Sequence, residues 1–304
     1  MSWRSQDQYE LIEYNFSAHG RAHFEISRVS QSYVALHWHD AVEVICVIEG
    51  ELSVTLDQHT HHLHGGDCII LNPYALHSTI SQKGNMSLLL QIPVSAFEDC
   101  GVTLAHRQFI CDPSSTDPAY RESVQRMTGH LKSIMAHEQD GRPGSRLLSM
   151  SELLEVIFDL YTCFSHPISD ATTEKSQKNR ERLTQIINYT EARYAQPITL
   201  EMIAEELHLQ VNYFCHFFKQ NTGMTYMNYL NDYRLAKVYH DLLVTDVPLK
   251  YLLERHGFTN YKKFRQSFFD KFGMTPGEMR NAKNSQTGQY PQTGMQRMTE
   301  SPAS

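Results

Sequence analysis

A pattern of twelve residues occurs twice near the end of this 304-residue chain. "FCHFFKQNTGMT" begins at residue 214 and "FRQSFFDKFGMT" at residue 264, so the copies are 50 positions apart. Both copies contain two phenylalanines spaced by one helical turn, and both end in Gly-Met-Thr. Self-similarity of this kind indicates one structural unit used twice. The C-terminal part of the chain is therefore predicted to contain two related helical units.

Each copy follows a shorter amphipathic segment and a turn. "TLEMIAEELHLQ" starts at residue 199 and "LKYLLERHGFTN" at residue 249. Ala204 and Gly257 are small enough to let two short helices cross closely, and Phe258 is predicted to fill the second turn. A glycine follows each copy, as is typical at helix C-termini. The order helix, turn, helix, glycine predicts two helix-turn-helix units.

Between the copies, "YMNYLNDYRLAKVYHDLL" predicts one connecting helix roughly 27 Å long. Residues 183–280 resemble the DNA-binding domain of AraC/XylS-type transcriptional regulators, in which a long helix joins two helix-turn-helix units. The resemblance is carried by Ile203-Ala204, Phe218-Lys219, Gly223, "YRLAKVYHDLL" and "GFTNYKKFRQSFFDKFGMTPGEMR". The chain departs from the family pattern at Gln210, where a capping Ser is usual, and at Glu254, where a small Ala is usual.

Helical periodicity separates an inward from an outward face on the second helix of each unit. The inward residues are predicted to be Val211, Phe214 and Phe218, and then Tyr261, Phe264 and Phe268. The residues predicted to contact double-stranded DNA are Asn212, Tyr213, Cys215, His216, Lys219, Lys262, Lys263, Arg265 and Gln266. Arg265 suits guanine, Asn212 and Gln266 suit adenine, and lysines reach phosphates. An ordinary solvated face is the alternative interpretation.

The first third of the chain has another pattern. From about residue 20 to 96, short apolar runs are broken by Gly, Asp, Asn and Pro, which predicts an antiparallel sandwich or barrel. The period then becomes helical, with Val124, Met127, Leu131 and Ile134 on one stripe and a break at 141–144. We expect the two helices of this segment to pack against each other and against a second subunit, giving a homodimer.

A histidine motif lies inside the predicted barrel. "HWHDAVEVICVIEG" places His37, His39, Glu43 and Gly50 at the spacing of the first cupin motif, and "GDCIILNPYALH" resembles the second, with His77 as a fourth potential ligand. Three imidazoles and a carboxylate suit a divalent transition metal. A metal-dependent cupin enzyme with an accessory DNA-binding domain is therefore the alternative function.

The N-terminal domains of AraC-like regulators also resemble cupins, and many keep this stretch while using the barrel as a ligand pocket. We therefore expect His37, His39, Glu43 and His77 to form an effector-binding site. The expectation includes no metal, no cofactor and no catalysis. The absence of a phosphate-binding glycine loop and of a nucleophile elbow from the sequence agrees with it.

The formal net charge of −7 hides a split. Residues 1–174 contain 10 Lys and Arg against 22 Asp and Glu, whereas residues 175–281 contain 15 against 11. An acidic effector part and a basic part that faces an anionic partner are indicated. The sequence has no run of 18 apolar residues and no secretory signal, so we expect no membrane contact and a cytoplasmic protein.

These observations predict a multidomain chain. Its parts are an all-β cupin-like effector domain (1–117), a helical dimerisation segment (118–166), a polar linker (167–179), an all-α domain of two helix-turn-helix units (180–281) and a disordered tail (282–304). The predicted function is sequence-specific DNA binding and transcription regulation under the control of a small-molecule effector. The family resemblance makes a carbohydrate the first effector class to consider, and RNA polymerase a further expected partner.

Overall fold

The structure, a computed structural model, describes residues 8–16, 21–56 and 59–287. The main β-strands are β1 (Gln8–Asn15), β2 (Arg21–Val29), β3 (Ser32–His37), β4 (Ala41–Leu56), β5 (His59–His64), β6 (Cys68–Leu71), β7 (His77–Ser81) and β8 (Asn85–Pro93). Two short strands, β9 (Arg107–Phe109) and β10 (Ser165–Pro167), pair separately. The helices are α1 (Val94–Asp99), α2 (Pro118–Asp140), α3 (Ser145–Asp159), α4 (Asp170–Arg193), α5 (Leu200–Glu206), α6 (Val211–Thr222), α7 (Tyr226–Val244), α8 (Leu249–Arg255), α9 (Tyr261–Phe272) and α10 (Pro276–Thr287).

The eight main strands form one antiparallel sheet that curls into a half-barrel, with the order β1-β2-β8-β4-β7-β3 and with β5 and β6 also paired to β4. Strand β4 is shared between the two halves of the sheet, because it pairs with β6 and β8 along its first part and with β5 and β7 along its second. Gly50 has a φ of +86°, and a Cβ there would lie 2.3 Å from the Gly84 carbonyl oxygen. Only glycine fits this bend. The predicted all-β domain is confirmed.

Helices α2 and α3 pack across the half-barrel and against each other. Gly141 and Gly144, with φ of 65° and 90°, form the predicted break between them. Met127, Leu131 and Ile134 are fully buried, as the helical stripe predicts. A π-helical turn, Leu160–Phe164, continues α3 and ends at β10.

The C-terminal helices form two helix-turn-helix units, α5–α6 and α8–α9, joined by α7. The predicted connecting helix is confirmed, since α7 spans 19 residues. The buried guanidinium of Arg234 fixes α7 to the end of α4 by donating to the carbonyl oxygens of Tyr194 and Gln196. None of the described helices is both long and apolar enough to cross a membrane.

Two segments differ from the sequence prediction. Helix α4 begins at Asp170, inside the stretch 167–179 predicted as a linker, and no Gly or Pro interrupts it before Arg193. Helix α10 continues to Thr287, so the first six residues of the segment predicted as a disordered tail are helical. Residues 288–304 lie outside the described residues. Polar composition was a poor guide in both places, because a solvated helix is also polar.

Candidate effector cavity and DNA interface

A cavity of about 360 Å³ lies inside the half-barrel. It is enclosed by inward-facing positions of β2, β3, β4, β7 and β8, together with one residue of β1. Its lining residues are Leu11, His23, Glu25, Ser27, Ser32, Val34, His37, Glu43, Ile45, Leu52, Thr79, Asn85, Ser87, Leu89 and Gln91. Ten of these side chains carry a polar group, which makes the interior unlike an ordinary hydrophobic core.

Asn85 is the most unusual member of this lining. The residue is 1% exposed, and within the described part of the chain neither its amide nitrogen nor its amide oxygen has a hydrogen-bond partner. It lies opposite Gly50, at the bend of β4. A buried amide normally has partners for both groups. An unused donor and an unused acceptor therefore lie in the wall of the cavity.

Four residues predicted for the effector site come together at one end of the cavity. One ring nitrogen of each of His37, His39 and His77 lies within 4.8 Å of the others. The Glu43 carboxylate is 2.5 Å from His39 Nε2 and 3.8 Å from His77 Nε2. The amide of Gln91 donates to Glu43 at 2.8 Å. His37 and Glu43 reach the cavity surface, whereas His39 and His77 contact them from behind.

Burial shapes the titration of this cluster. It lowers the pKa of His77 to about 4 and also lowers the pKa of His37. Burial opposes ionisation of Glu43, but its hydrogen bonds with His39 and Gln91 and the nearby His77 outweigh that effect and lower the pKa of Glu43. At neutral pH the cluster therefore holds neutral rings at His37 and His77 beside an ionised carboxylate.

Two cavity residues had no signal in the sequence. Gln91 lies opposite Glu43 in the β4–β8 register, and Asn85 lies opposite Gly50 in the same pairing. Their importance depends on which strands pair and in what register, which a single sequence does not reveal. The histidine motif was visible because its members on β3 and β4 are close in sequence.

Strand β3 connects the cavity with the C-terminal domain. Val34 and His37 line the cavity, while Tyr33 points the other way and packs edge-on against Tyr239 and Phe272. The Tyr33 hydroxyl donates to Asp232 of α7 at 2.5 Å.

Other contacts extend this interface to both helix-turn-helix units. Lys271 of α9 pairs with Asp232 at 2.9 Å and lies 4.6 Å from the centre of the Tyr33 ring. Leu36 and Leu76 of the half-barrel are buried in the hydrophobic cluster that contains Phe214 of the first unit. The half-barrel therefore contacts α7, the first unit and the second unit at once.

The predicted DNA-facing residues lie on the second helix of each unit, α6 and α9. Those that are exposed are Asn212, Tyr213, His216, Lys219, Lys262, Lys263, Arg265 and Gln266. Cys215 is only half-exposed, because it packs against the cluster around Phe214. The structure thus presents one polar surface on each helix, but the contact of any named residue with DNA stays a prediction.

The prediction of which residues face inward on α6 and α9 is wrong at one residue. Phe214, Phe218, Phe264 and Phe268 are buried. The prediction that Tyr261 points inward is wrong: its side chain is 54% exposed, because it occupies the first position of α9, where the chain has not yet reached the core.

Arg182 of α4 is a further basic residue beside the outward face of α6, and no pattern in the sequence indicated it. Its guanidinium donates to the Tyr213 hydroxyl at 3.0 Å and lies over the Tyr213 ring. It adds a positive charge beside α6, whose own charged residue is Lys219. The pairing became visible only when α4 was placed against α6.

Two family models match the two parts of the chain. The family model described as AraC-like ligand binding domain matches residues 21–157, and a helix-turn-helix domain model matches residues 203–282. The HTH-type transcriptional activator RhaS of Salmonella paratyphi A is 24% identical, over 90% of this chain and 98% of its own length. The uncharacterised regulator YdeC of Bacillus subtilis is 22% identical, over 83% and 87%. The crystal structure of ToxT from Vibrio cholerae covers 86% of this chain and 97% of its own, with 11% identity and a TM-score of 0.48.

A ligand-binding half-barrel followed by paired helix-turn-helix units defines a DNA-binding transcriptional regulator controlled by a small-molecule effector. The chain belongs to the AraC/XylS family of such regulators.

Proposed function

We propose that this regulator senses a polar small molecule in the half-barrel cavity, without catalytic turnover, through Asn85 and the predicted effector residues His37, His39, Glu43 and His77. The unpartnered amide of Asn85 carries the proposal. Leaving a buried polar group without a partner costs about 1–3 kcal/mol. A ligand that offers both a donor and an acceptor removes this cost when it binds.

The cavity lining favours a carbohydrate as the effector class. Hydroxyl groups donate and accept, so they match an amide, a carboxylate and the serine hydroxyls of Ser27 and Ser87. The apolar lining residues Val34 and Ile45 suit the C–H faces of a sugar ring. A volume of about 360 Å³ lies within the range of small-molecule sites.

Strand β3 is proposed to carry the signal to DNA. One face of β3 lines the cavity and the other holds Tyr33 against α7. The half-barrel contacts both helix-turn-helix units in this structure, so it opposes any change in their relative position on DNA. An effector that binds more tightly to a form without these contacts shifts the population toward that form. In this scheme the effector-free chain is the form that binds DNA more weakly.

Sequence-specific contact is proposed for the outward residues of both recognition helices. These are Asn212, Tyr213, Cys215, His216 and Lys219 on α6, and Lys262, Lys263, Arg265 and Gln266 on α9. Their exposure and their side-chain types support base readout and phosphate contact in the major groove.

The face of α3 that points away from the half-barrel is proposed to mediate homodimerisation. Leu147, Leu154 and Phe158 are exposed by 77%, 47% and 61%, and their spacing places them on one side of the helix. An apolar stripe of this kind marks an interaction surface, and a second copy of the chain covers it symmetrically.

We also propose RNA polymerase as a partner, because the RhaS relatives are named transcriptional activators. The cytoplasm is the proposed location of the protein.

The experiment compares effector responses of the wild type and Asn85→Leu. Operator DNA is first selected from genomic fragments, and monosaccharides are then screened for a rise in Tm and a change in operator affinity. Asn85→Leu keeps the number and branching of the side-chain heavy atoms and removes the unpartnered amide, so its Tm should equal or exceed that of the wild type. It should lose the response to the sugar.

Thr55→Val serves as the matched control, because the Thr55 hydroxyl lies on the exposed side of the sheet, 3.0 Å from the Thr60 hydroxyl. This variant should respond as the wild type does. If Asn85→Leu also responds as the wild type does, the cavity is not the effector site.

A further inference from the structure

The hydrogen bonds of the histidine cluster place the same demand on all three rings. Nδ1 of His37, His39 and His77 lies 2.9, 3.1 and 2.8 Å from the backbone carbonyl oxygens of Ala35, Ala41 and Ala75 respectively. A carbonyl oxygen only accepts, so each Nδ1 must carry the proton. In a neutral imidazole the other nitrogen, Nε2, then bears a lone pair. The three Nδ1 hydrogen bonds fix the orientation of the rings within the cluster.

The cluster therefore contains more acceptors than donors. His77 Nε2 is buried and has no hydrogen-bond partner among the described residues, and His39 Nε2 lies 2.5 Å from the Glu43 carboxylate. Gln91 is the one described side chain that donates into this group, and it serves only Glu43. The fold thus gathers three imidazole rings and a carboxylate around a buried nitrogen that has no hydrogen-bond partner among the described residues, an arrangement that a bound cation satisfies.

We propose that His37, His39, His77 and Glu43 bind a divalent transition metal ion at the wall of the effector cavity. Imidazole nitrogen and carboxylate oxygen suit zinc, iron, manganese, cobalt or nickel. The backbone carbonyls that receive the Nδ1 protons are the partners that usually orient histidine ligands, and Gln91 does the same for Glu43.

Only small movements are needed to form such a centre. Metal–nitrogen bonds of about 2.0–2.1 Å bring ligand nitrogens within about 4.2 Å of each other, compared with the 4.8 Å limit observed here. The ion takes the position between His39 Nε2 and the Glu43 carboxylate, and any proton held there is released on binding. Because His37 and Glu43 also reach the cavity surface, a coordination position faces the cavity.

The histidine-rich strand β5 is the competing site on this chain. His62 and His64 are exposed there, and His62 already pairs with Ser53 while His64 lies near Asp67. Among the described residues, the cluster at His37, His39 and His77 is the one that brings three ligand groups within metal-binding distance. Substitution separates the two sites, because His64→Gln alters β5 and leaves the buried cluster intact.

The test uses the full chain, stripped of metal and then titrated with Co²⁺. Elemental analysis after dialysis should give one ion per chain, and Co²⁺ should raise the Tm by linkage. His37→Gln and His39→Gln should each lower the stoichiometry toward zero with unchanged far-UV circular dichroism. The control His64→Gln should retain one ion. Azide should change the visible absorption of the bound Co²⁺, because a position faces the cavity.

Absence of both bound Co²⁺ and a rise in Tm for the wild type overturns the proposal, whether or not the variants fold. Loss of the ion from His64→Gln with retention in His37→Gln also overturns it, by assigning the ion to β5. A Co²⁺ spectrum unaffected by azide contradicts the open position. None of these readouts uses Asn85→Leu, so failure here is separate from failure of the proposed effector site.

Discussion

The two helix-turn-helix units show which parts of a duplicated structure are fixed and which are free to change. Phe214 and Phe218 of the first unit and Phe264 and Phe268 of the second are all buried, at 0 or 1% exposure. The turns differ. His208 occupies the left-handed conformation in the first turn with a φ of 55°, whereas Gly257 does so in the second with a φ of 73°.

The surfaces of the two recognition helices differ more than their cores. At the 50-residue offset, the pairs of corresponding residues are Asn212 with Lys262, Tyr213 with Lys263, and Cys215 with Arg265. The second helix has three basic side chains where the first has none. The shared aromatic residues fix the fold, and the outward residues give each unit its own contact with DNA.

Truncating a buried phenylalanine in either unit should cause a large loss of stability. Phe264→Ala and Phe214→Ala each leave a cavity at a fully buried position and should each lower the free energy of unfolding by about 3–5 kcal/mol. Denaturant unfolding of the full chain, followed by far-UV circular dichroism, measures both. A loss below about 1 kcal/mol in only one unit would show that the two cores are not equivalent.

Substitutions on the outward faces of α6 and α9 should change DNA affinity by different amounts. Arg265→Ala removes a proposed bidentate base contact and should weaken binding to the operator by about 1–3 kcal/mol, with little change on random DNA. Cys215→Ala, at the corresponding position, should have a smaller effect because a half-exposed thiol is a poor base reader. Fluorescence anisotropy with both DNAs checks this. An equal loss on operator and random DNA for Arg265→Ala would mean that α9 does not read a base there.

A third prediction compares the turns. A Cβ on Gly257 would lie 2.6 Å from the carbonyl oxygen of Ala195, and the backbone there is left-handed. Gly257→Ala should therefore lower the free energy of unfolding by more than about 1 kcal/mol. His208→Gly, at an exposed position, should change it by less than about 0.5 kcal/mol. Similar values for the two variants, from the same unfolding curves, would remove the proposed difference between the turns.

The smallest effects concern helix capping. The Asn260 side chain accepts a hydrogen bond from the backbone N–H of Lys263 at 2.9 Å, whereas Gln210 makes no such bond at the start of α6. Asn260→Ala should cost about 1 kcal/mol, and Gln210→Asn should gain up to about the same amount. Thermal unfolding of the two variants should shift Tm in opposite directions. A shift of the same sign in both would contradict the capping argument.

The sequence predicted the repeated part of the fold well because aromatic residues at helical spacing leave one arrangement that buries them all. It failed at Tyr261, since periodicity does not reveal that the first turn of α9 projects beyond the core. It also failed at Asp170, where polar composition concealed a helix.

The candidate effector site also contains residues that the sequence predicted and residues that it did not. His37, His39 and Glu43 are near neighbours in sequence, so their spacing could be recognised. Asn85 and Gln91 enter the site only through the pairing of β8 with β4, which is a long-range property of the sheet. The contact of Tyr33 with α7 is of the same kind, since 199 residues separate Tyr33 from Asp232.

We propose that the half-barrel controls DNA binding through β3, and the operator affinity of Tyr33→Ala beside that of the wild type decides whether it does. Tyr33→Ala removes the ring contacts with Tyr239 and Phe272 and the hydrogen bond to Asp232, while Tyr33→Phe removes only the hydrogen bond. Without effector, Tyr33→Ala should bind the operator at least about tenfold more tightly than the wild type, a change of about 1.4 kcal/mol, with Tyr33→Phe in between. Wild-type affinity in a folded Tyr33→Ala chain would contradict the claim.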